Sequence, residues 1–325
     1  MATQLGSPEL YTIAWIAGLP IERAAATALL HEIHNEPGGF SQHEADSNSY
    51  SWGRLGQHNI VIASFPAGVY GITAATSTAS DLIHSLPHIR VALLIGIGGG
   101  ISNPDEDQDI RLGEIVVSQP DGPTGGVVQY DLVKAKVGGV LEQKSSLNKP
   151  PPVLLHALAG LQAQHEMIPS KIPELLEAMW NKNNRYMTKK KKTNYTYPGA
   201  KNDRLFNLKH EHVDRRTCAK CDPAWEVERE ERDSTDPKFH YGIIASGNTL
   251  IKGSAFRDGL SKKHQFLCVE IEAAGLMDRF PCLVIRGICD YADLHKNNGW
   301  QRYAAATAAA FAAELFVYVP TNKVR

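Results

Sequence analysis

The stretch Arg90-Val91-Ala92-Leu93-Leu94-Ile95, running straight into Gly96-Ile97-Gly98-Gly99-Gly100, decides how this chain is read. The five consecutive apolar residues after Arg90, with β-branched members, predict a strand buried on both faces. The glycines after it predict a tight turn in which backbone crowds backbone. A ligand pressed against bare peptide N–H groups fits the same residues. The dinucleotide fingerprint Gly-x-Gly-x-x-Gly fails on spacing, because it would need glycine at Ile101. No Walker A motif is present.

Working outward, the same grammar recurs. Tyr11 to Ala17 and Asn59 to Phe65 read as buried strands, and Glu114 to Ser118 as a further one. Ile21 to His34 is rich in alanine and leucine and predicts a helix, as does the alanine- and threonine-rich run to about Ser85. Pro150 to His165 and Ile172 to Trp180 read as helices. Tyr241 to Ala245 and Leu283 to Arg286 read as strands, and Ile271 to Arg279 and Trp300 to Val317 as helices. Strands alternating with helices imply an α/β fold around a largely parallel, buried sheet. The character changes at 181–238, which is rich in Lys, Arg, Glu and Asn. We read it as a polar, partly flexible insertion in one domain spanning 1–325.

Composition limits the partners. Thirty-four Lys and Arg against 35 Asp and Glu give a formal net charge of −1. There is no overall basic field for nucleic acid or a membrane surface. No run is long enough to span a bilayer, and the start does not resemble a secretory signal. Five cysteines, an odd number, argue against a disulfide framework. The expected location is the cytoplasm.

In α/β sheets chemistry collects at the C-terminal ends of strands. Asp290 follows an apolar strand, and a carboxyl withdrawn from water there can donate a proton near neutral pH. Taken alone, an aspartate in that place is more simply a helix cap or a loop residue. Glu270 and Glu272 lie two apart at a strand-to-helix junction. They share a face in extended backbone, or act as first-turn acids at a helix start. Glu22 by itself reads as a first-turn helix glutamate. Cys218-Ala219-Lys220-Cys221, with His210 and His212 upstream, has donors for zinc. A lone Cys-x-x-Cys in a charged stretch is more often a surface loop, so no metal and no cofactor is expected.

The ordered set resembles the nucleoside phosphorylase/nucleosidase superfamily. It comprises strand–Glu22, the Gly-rich stretch, Ser246-Gly247-Asn248, Val269-Glu270-Ile271-Glu272-Ala273-Ala274 and Arg286-Gly287-Ile288-Cys289-Asp290-Tyr291-Ala292-Asp293. The nearest branch looks like methylthioadenosine/adenosylhomocysteine nucleosidases and their fungal relatives. In fungi such domains occur alone or ahead of NLR-type immune receptors. The resemblance implies a three-layer fold with a central mixed, largely parallel twisted sheet flanked by helices. It implies a purine nucleoside as ligand and a homo-oligomer. Asp290 would protonate the purine at N7, and Glu22 would activate the attacking water. Glu272 would hold the ribose hydroxyls, with Ile271 and Glu270 beside it and Gly98 and Gly99 under the sugar. Ser246, Gly247 and Asn248 would precede the base site, and the backbone at Ile251 would meet the purine edge. Leu250 stands where an aromatic stacking residue is often found.

Water or phosphate as nucleophile is a further decision. Phosphorylases of the superfamily place arginines and serines around phosphate. Here the first strand end offers Glu22 and the glycine run offers neither Arg nor Ser, which favours hydrolysis. Arg23, beside Glu22, is the residue that could reverse this. The remaining alternatives are a purine nucleoside phosphorylase, an adenine-nucleotide (ATP) nucleosidase, and a nucleoside-sensing module of a fungal immune type.

Overall fold

The computed structural model describes residues 3–135, 141–143, 147–183, 187–189, 194–207, 218–249, 265–295 and 298–324. Its centre is a sheet built on β5 (Val91–Gly100), flanked by parallel partners β1 (Ile13–Ala17) and β13 (Cys282–Asp290). Every residue of β1 and β13 is buried, as a strand covered on both faces requires. Outward from β1 the sheet continues through β4 (His58–Ser64), β3 (Tyr50–Leu55) and β2 (Glu32–His34). β4 is parallel to β1, and the outer two pairings are antiparallel. Outward from β13 come β6 (Ile115–Ser118), antiparallel, and β10 (Phe239–Gly242). The far end of β5 turns aside to pair with β12 (Cys268–Glu270). This strand leads on to β11 (Ile244–Ser246) and β7 (Val127–Gln129). A separate hairpin joins β8 (Val133–Ala135) and β9 (Leu141–Gln143).

Helices flank this mixed, mostly parallel sheet. α1 (Pro20–Leu29), α4 (Ile172–Lys182) and α6 (Gln301–Leu315) pack together, with α3 (Pro152–His165) against α6. α2 (Ile72–Ser85) lies against β4 and the short α5 (Ala274–Met277). α6 is almost wholly buried, and its alanines let it lie close on β13 and β5. A β-carbon added at Gly287 in β13 would come within 1.9 Å of the Ala304 carbonyl oxygen. Among the described residues no helix is long and apolar enough to cross a membrane.

Four sequence expectations need correction. The helix expected over Ile21 to His34 stops at Leu29, and Glu32–His34 instead form an edge strand paired with β3. Alanine content favours helix only until that pairing is available. Tyr241 to Ala245 is two strands that break near Ile243 to pair with different neighbours. The helix expected over Ile271 to Arg279 shrinks to four residues. The glycine run is no turn: Gly96–Gly100 continue β5, bonded to β13 and β12.

Within 181–238, Tyr195, Leu205, Phe206 and Cys221 are buried. Arg229 reaches across to Tyr291 Oη at 2.8 Å and to Asp203 at 3.1 Å. Arg232 bonds Glu114 at 2.9 Å. The described insertion is thus bonded to the residue after β13 and to the residue before β6.

Gly287→Ala tests the helix–strand approach. The added methyl group must displace backbone, so overpacking should cost about 1–3 kcal/mol. The expected result is a lower urea midpoint with an unchanged m-value.

Candidate active site

Glu22 is the third residue of α1, and its carboxylate turns back on the loop before the helix. Oε2 accepts the N–H groups of Gly18 at 2.7 Å and Leu19 at 2.8 Å. Oε1 accepts the N–H of Ile97 on β5 at 2.8 Å. The side chain thereby bridges the first helix to the glycine-rich half of β5. Burial raises its pKa, while Arg286 and the three backbone donors pull the other way without cancelling the shift.

Arg286, on β13, is the centre of the charge network and is essentially inaccessible to water. Its Nη2 donates to Glu270 and, at 3.2 Å, to Glu272. Nη1 points toward the Ile97 carbonyl at 3.5 Å. A β-carbon at Gly96 would come 2.5 Å from both Arg286 Nη1 and Glu22 Oε1. Glycine is needed there because two side chains from other elements fill the space.

Glu270 ends β12 and holds the sharp turn that follows. Its carboxylate accepts the Glu272 N–H at 3.1 Å and the Ala273 N–H at 3.0 Å. These bonds satisfy donors that a longer helix would have left to water, so α5 starts late. Glu272 lines the cavity. Burial raises its pKa; Arg286 opposes the shift, and the charges of Glu270 and Glu22 add to it.

Asp290 lies at the last position of β13, where the register with β5 slips between Ile288 and Asp290 and sets Asp290 opposite Gly99. Such a bulge re-aims a side chain. Oδ1 accepts the Ala292 N–H at 2.9 Å, and the Cys289 thiol donates to Oδ2 at 3.2 Å. Ala292 has φ +52°, a left-handed conformation held by this contact. A β-carbon at Gly99 would stand 2.8 Å from Asp290 Oδ1.

These groups converge on one cavity of about 340 Å³. Of the residues singled out in the sequence, Glu22, Gly98, Gly99, Glu270, Ile271, Glu272 and Asp290 line it. Ser246, Gly247 and Asn248 do not. Ser246 Oγ accepts the Ala274 N–H at 2.9 Å, and Asn248 Oδ1 accepts the Ile72 N–H at 3.1 Å. They brace α5 and α2 from behind. Ile251, with Leu250, lies outside the described residues. Sequence reasoning missed Leu19, Tyr70, Thr249, Val269, Cys289, Ala292 and Gln301 as lining residues. Tyr70 and Gln301 precede or begin helices and carry no motif of their own, so only assembly reveals them. No described residue of 181–238 lines the cavity.

Arg23 faces away from it. Its guanidinium bonds Ser64 at 3.0 Å and Ser51 at 2.9 Å. Among the described lining residues there are four carboxyl groups and no cation.

Arg286→Met should destabilise the fold by about 3–5 kcal/mol, because carboxylates are left buried without their partner. With the cation gone the folded pKa values of Glu22 and Glu272, already raised by burial, rise further above the unfolded ones. Stability then falls as pH rises through that window, so the loss should be larger at pH 8 than at pH 5.5. Urea unfolding at the two pH values measures this.

Comparison with known proteins follows the same lines. No protein-family model matches the chain. It is 40% identical over 328 residues to a nucleotide-binding leucine-rich repeat (NLR)-like protein of Hyaloscypha variabilis. The match covers 98% of this chain but 30% of that protein. Over 77 residues it is 35% identical to the ATP nucleosidase Cap17 of Escherichia coli, covering 22% of this chain and 15% of that one. The chain thus spans less than a third of either relative. Among solved structures, the S-adenosylhomocysteine nucleosidase of Streptococcus pyogenes superposes with a TM-score of 0.58 at 15% identity, covering 99% of both chains. The futalosine hydrolase of Helicobacter pylori gives 0.56 at 15% identity, covering 96% and 99%. With its mixed sheet, its flanking helices and a cavity at the strand ends, this chain has the fold of the nucleoside phosphorylase/nucleosidase superfamily.

Proposed function

We propose that this chain is a purine nucleosidase, hydrolysing the N-glycosidic bond of a purine nucleoside to free base and ribose. The observation that carries the reading is the cavity's charge. Among the described residues four carboxyl groups line it, and the neighbouring guanidinium of Arg286 donates to two of them. A phosphate dianion brought into a low-dielectric site beside those groups would be repelled, whereas water would find a base. Arg23, bound to Ser51 and Ser64, does not offset this. The fold neighbours, a nucleosidase and a futalosine hydrolase, agree with the reading.

The chemistry needs two acids with opposite tasks. As the C1′–N bond breaks, the sugar becomes oxocarbenium-like and the purine gathers the bond's electrons. Asp290 supplies the proton that neutralises the leaving base. Water attacks C1′ and gives its proton to Glu22. Glu272, pointing into the cavity with its partner Arg286 behind it, holds the ribose hydroxyls. Ile271 packs beside the sugar, and the bare peptides of Gly98 and Gly99 let it approach β5. Tyr70, half-exposed at the cavity wall, offers the aromatic face that Leu250 does not.

A second reading keeps the reaction and changes the substrate. The local similarity to an ATP nucleosidase supports a nucleotide in place of a nucleoside. Base release from ATP and from adenosine, inosine, guanosine and methylthioadenosine separates the two.

Asp290→Asn should lower kcat by about a hundred- to ten-thousand-fold while leaving thermal unfolding nearly unchanged. Near wild-type turnover would remove Asp290 from the reaction.

Sugar-product analysis tests the nucleophile. Free ribose should form at a rate indifferent to added phosphate, and Glu22→Gln should abolish it. Because burial raises the Glu22 pKa and the base must be ionised, kcat/KM should rise with pH through an ionisation above the ordinary carboxyl range. Ribose 1-phosphate as product would make the chain a phosphorylase.

A further inference from the structure

The insertion brings two cysteines up to the segment that follows β13. Cys218 and Cys221 bracket one turn, closed by the Cys221 N–H on the Cys218 carbonyl at 3.0 Å. Both thiols face His295. Cys221 Sγ lies 3.7 Å from His295 Nδ1, and Cys218 Sγ lies 3.4 Å from the His295 carbonyl oxygen. The two sulfurs and a ring nitrogen of His295 all lie within 4.8 Å of one another. In a tetrahedral zinc site, with Zn–S about 2.3 Å and Zn–N about 2.1 Å, neighbouring donor atoms stand about 3.6–3.8 Å apart. The separation of Cys221 Sγ from Nδ1 already has that value.

Neighbours outside the set hold each donor in place. Arg204 donates to the carbonyls of both cysteines, at 3.2 Å for Cys221, and is itself paired with Glu226. Phe206 stacks on the His295 ring, with centroids 4.1 Å apart and planes 16° from parallel. Asp293 Oδ1 accepts the His295 N–H at 2.8 Å. Cys221 and His295 are buried, and Cys218 is partly so. A surface turn has no need of such support.

We propose that Cys218, Cys221 and His295 bind one zinc ion, supplying three of its ligands. Two thiolates and an imidazole favour zinc over magnesium or calcium, which prefer oxygen donors. Binding displaces the two thiol protons to solvent. None of the three residues lines the active-site cavity, so the ion is structural. It ties the insertion to the backbone five residues beyond Asp290 and so steadies the segment that carries Tyr291 and Ala292. His210 and His212, the upstream histidines of the sequence pattern, lie outside the described residues.

The test uses the full chain without a histidine tag. Zinc is measured by elemental mass spectrometry as isolated, and again after chelator stripping and reconstitution. The stripped chain is also titrated with cobalt(II), reading the thiolate-to-metal charge-transfer band. The expected result is about one zinc per chain and a charge-transfer band that saturates at about one cobalt. Cys218→Ser and Cys221→Ser should each remove roughly half of the band, and His295→Ala should weaken zinc retention. A chelator should lower the thermal midpoint of the wild type and leave the Cys218→Ser/Cys221→Ser double variant unmoved. Wild-type chain that is folded by circular dichroism yet takes up neither metal overturns the proposal. So does equal zinc in the wild type and the double variant. If the variants fail to fold, the wild-type titration decides alone.

Discussion

A single guanidinium, buried in the middle of a sheet, sets the terms for everything around it. Arg286 sits on β13, donates to Glu270 and Glu272 at the end of β12, and lies beside Glu22 at the start of α1. Taking one cation and three carboxylates out of water is expensive, and their attraction offsets that cost only if all are held in register. The sheet supplies the register. β5 pairs with β13 along one edge while its other edge passes from β1 to β12, so the three carriers meet where β5 changes partner. The charge set and the strand switch require each other.

The same requirement explains why β5 ends in glycine. A strand interior normally avoids it, because glycine gives up packing and entropy. Here the space above the backbone is already occupied: by Arg286 and Glu22 over Gly96, and by Asp290 and Ala292 over Gly99. The residues of β5 withdraw their side chains so that groups from three other elements can stand within bonding distance. The exposed peptides that remain form the floor of the cavity.

The insertion extends the logic outward. Arg229 links Tyr291 to Asp203, and the cysteine turn meets His295, so the segment after Asp290 is clasped on two sides by residues from 203–229. That segment includes Ala292 in a strained conformation. Such a conformation persists where surrounding structure over-determines it. A polar stretch that contributes no described group to the cavity can therefore still govern how its acid is held.

Much of this was readable from local pattern. Continuous apolar runs such as Ile13 to Ala17 and Leu283 to Ile285 declare buried strands, because burial on both faces leaves no alternation. Glu22, Glu270, Glu272 and Asp290 fall at strand ends, where an α/β sheet opens, but each alone reads as a cap or first-turn acid; only the ordered set of motifs, through its family resemblance, singled them out. Three kinds of fact were not local. The glycine run reads as a turn until its partners β12 and β13 are in place, since pairing is a property of two strands. Arg286 reads as the polar end of a strand until three glutamates from distant elements surround it. His295 is 77 residues from Cys218, so no spacing rule could join it to the cysteine pair. Hydrophobic periodicity acts within a few residues and specifies elements; charge networks and donor sets form only between elements, and the tertiary fold alone brings those together.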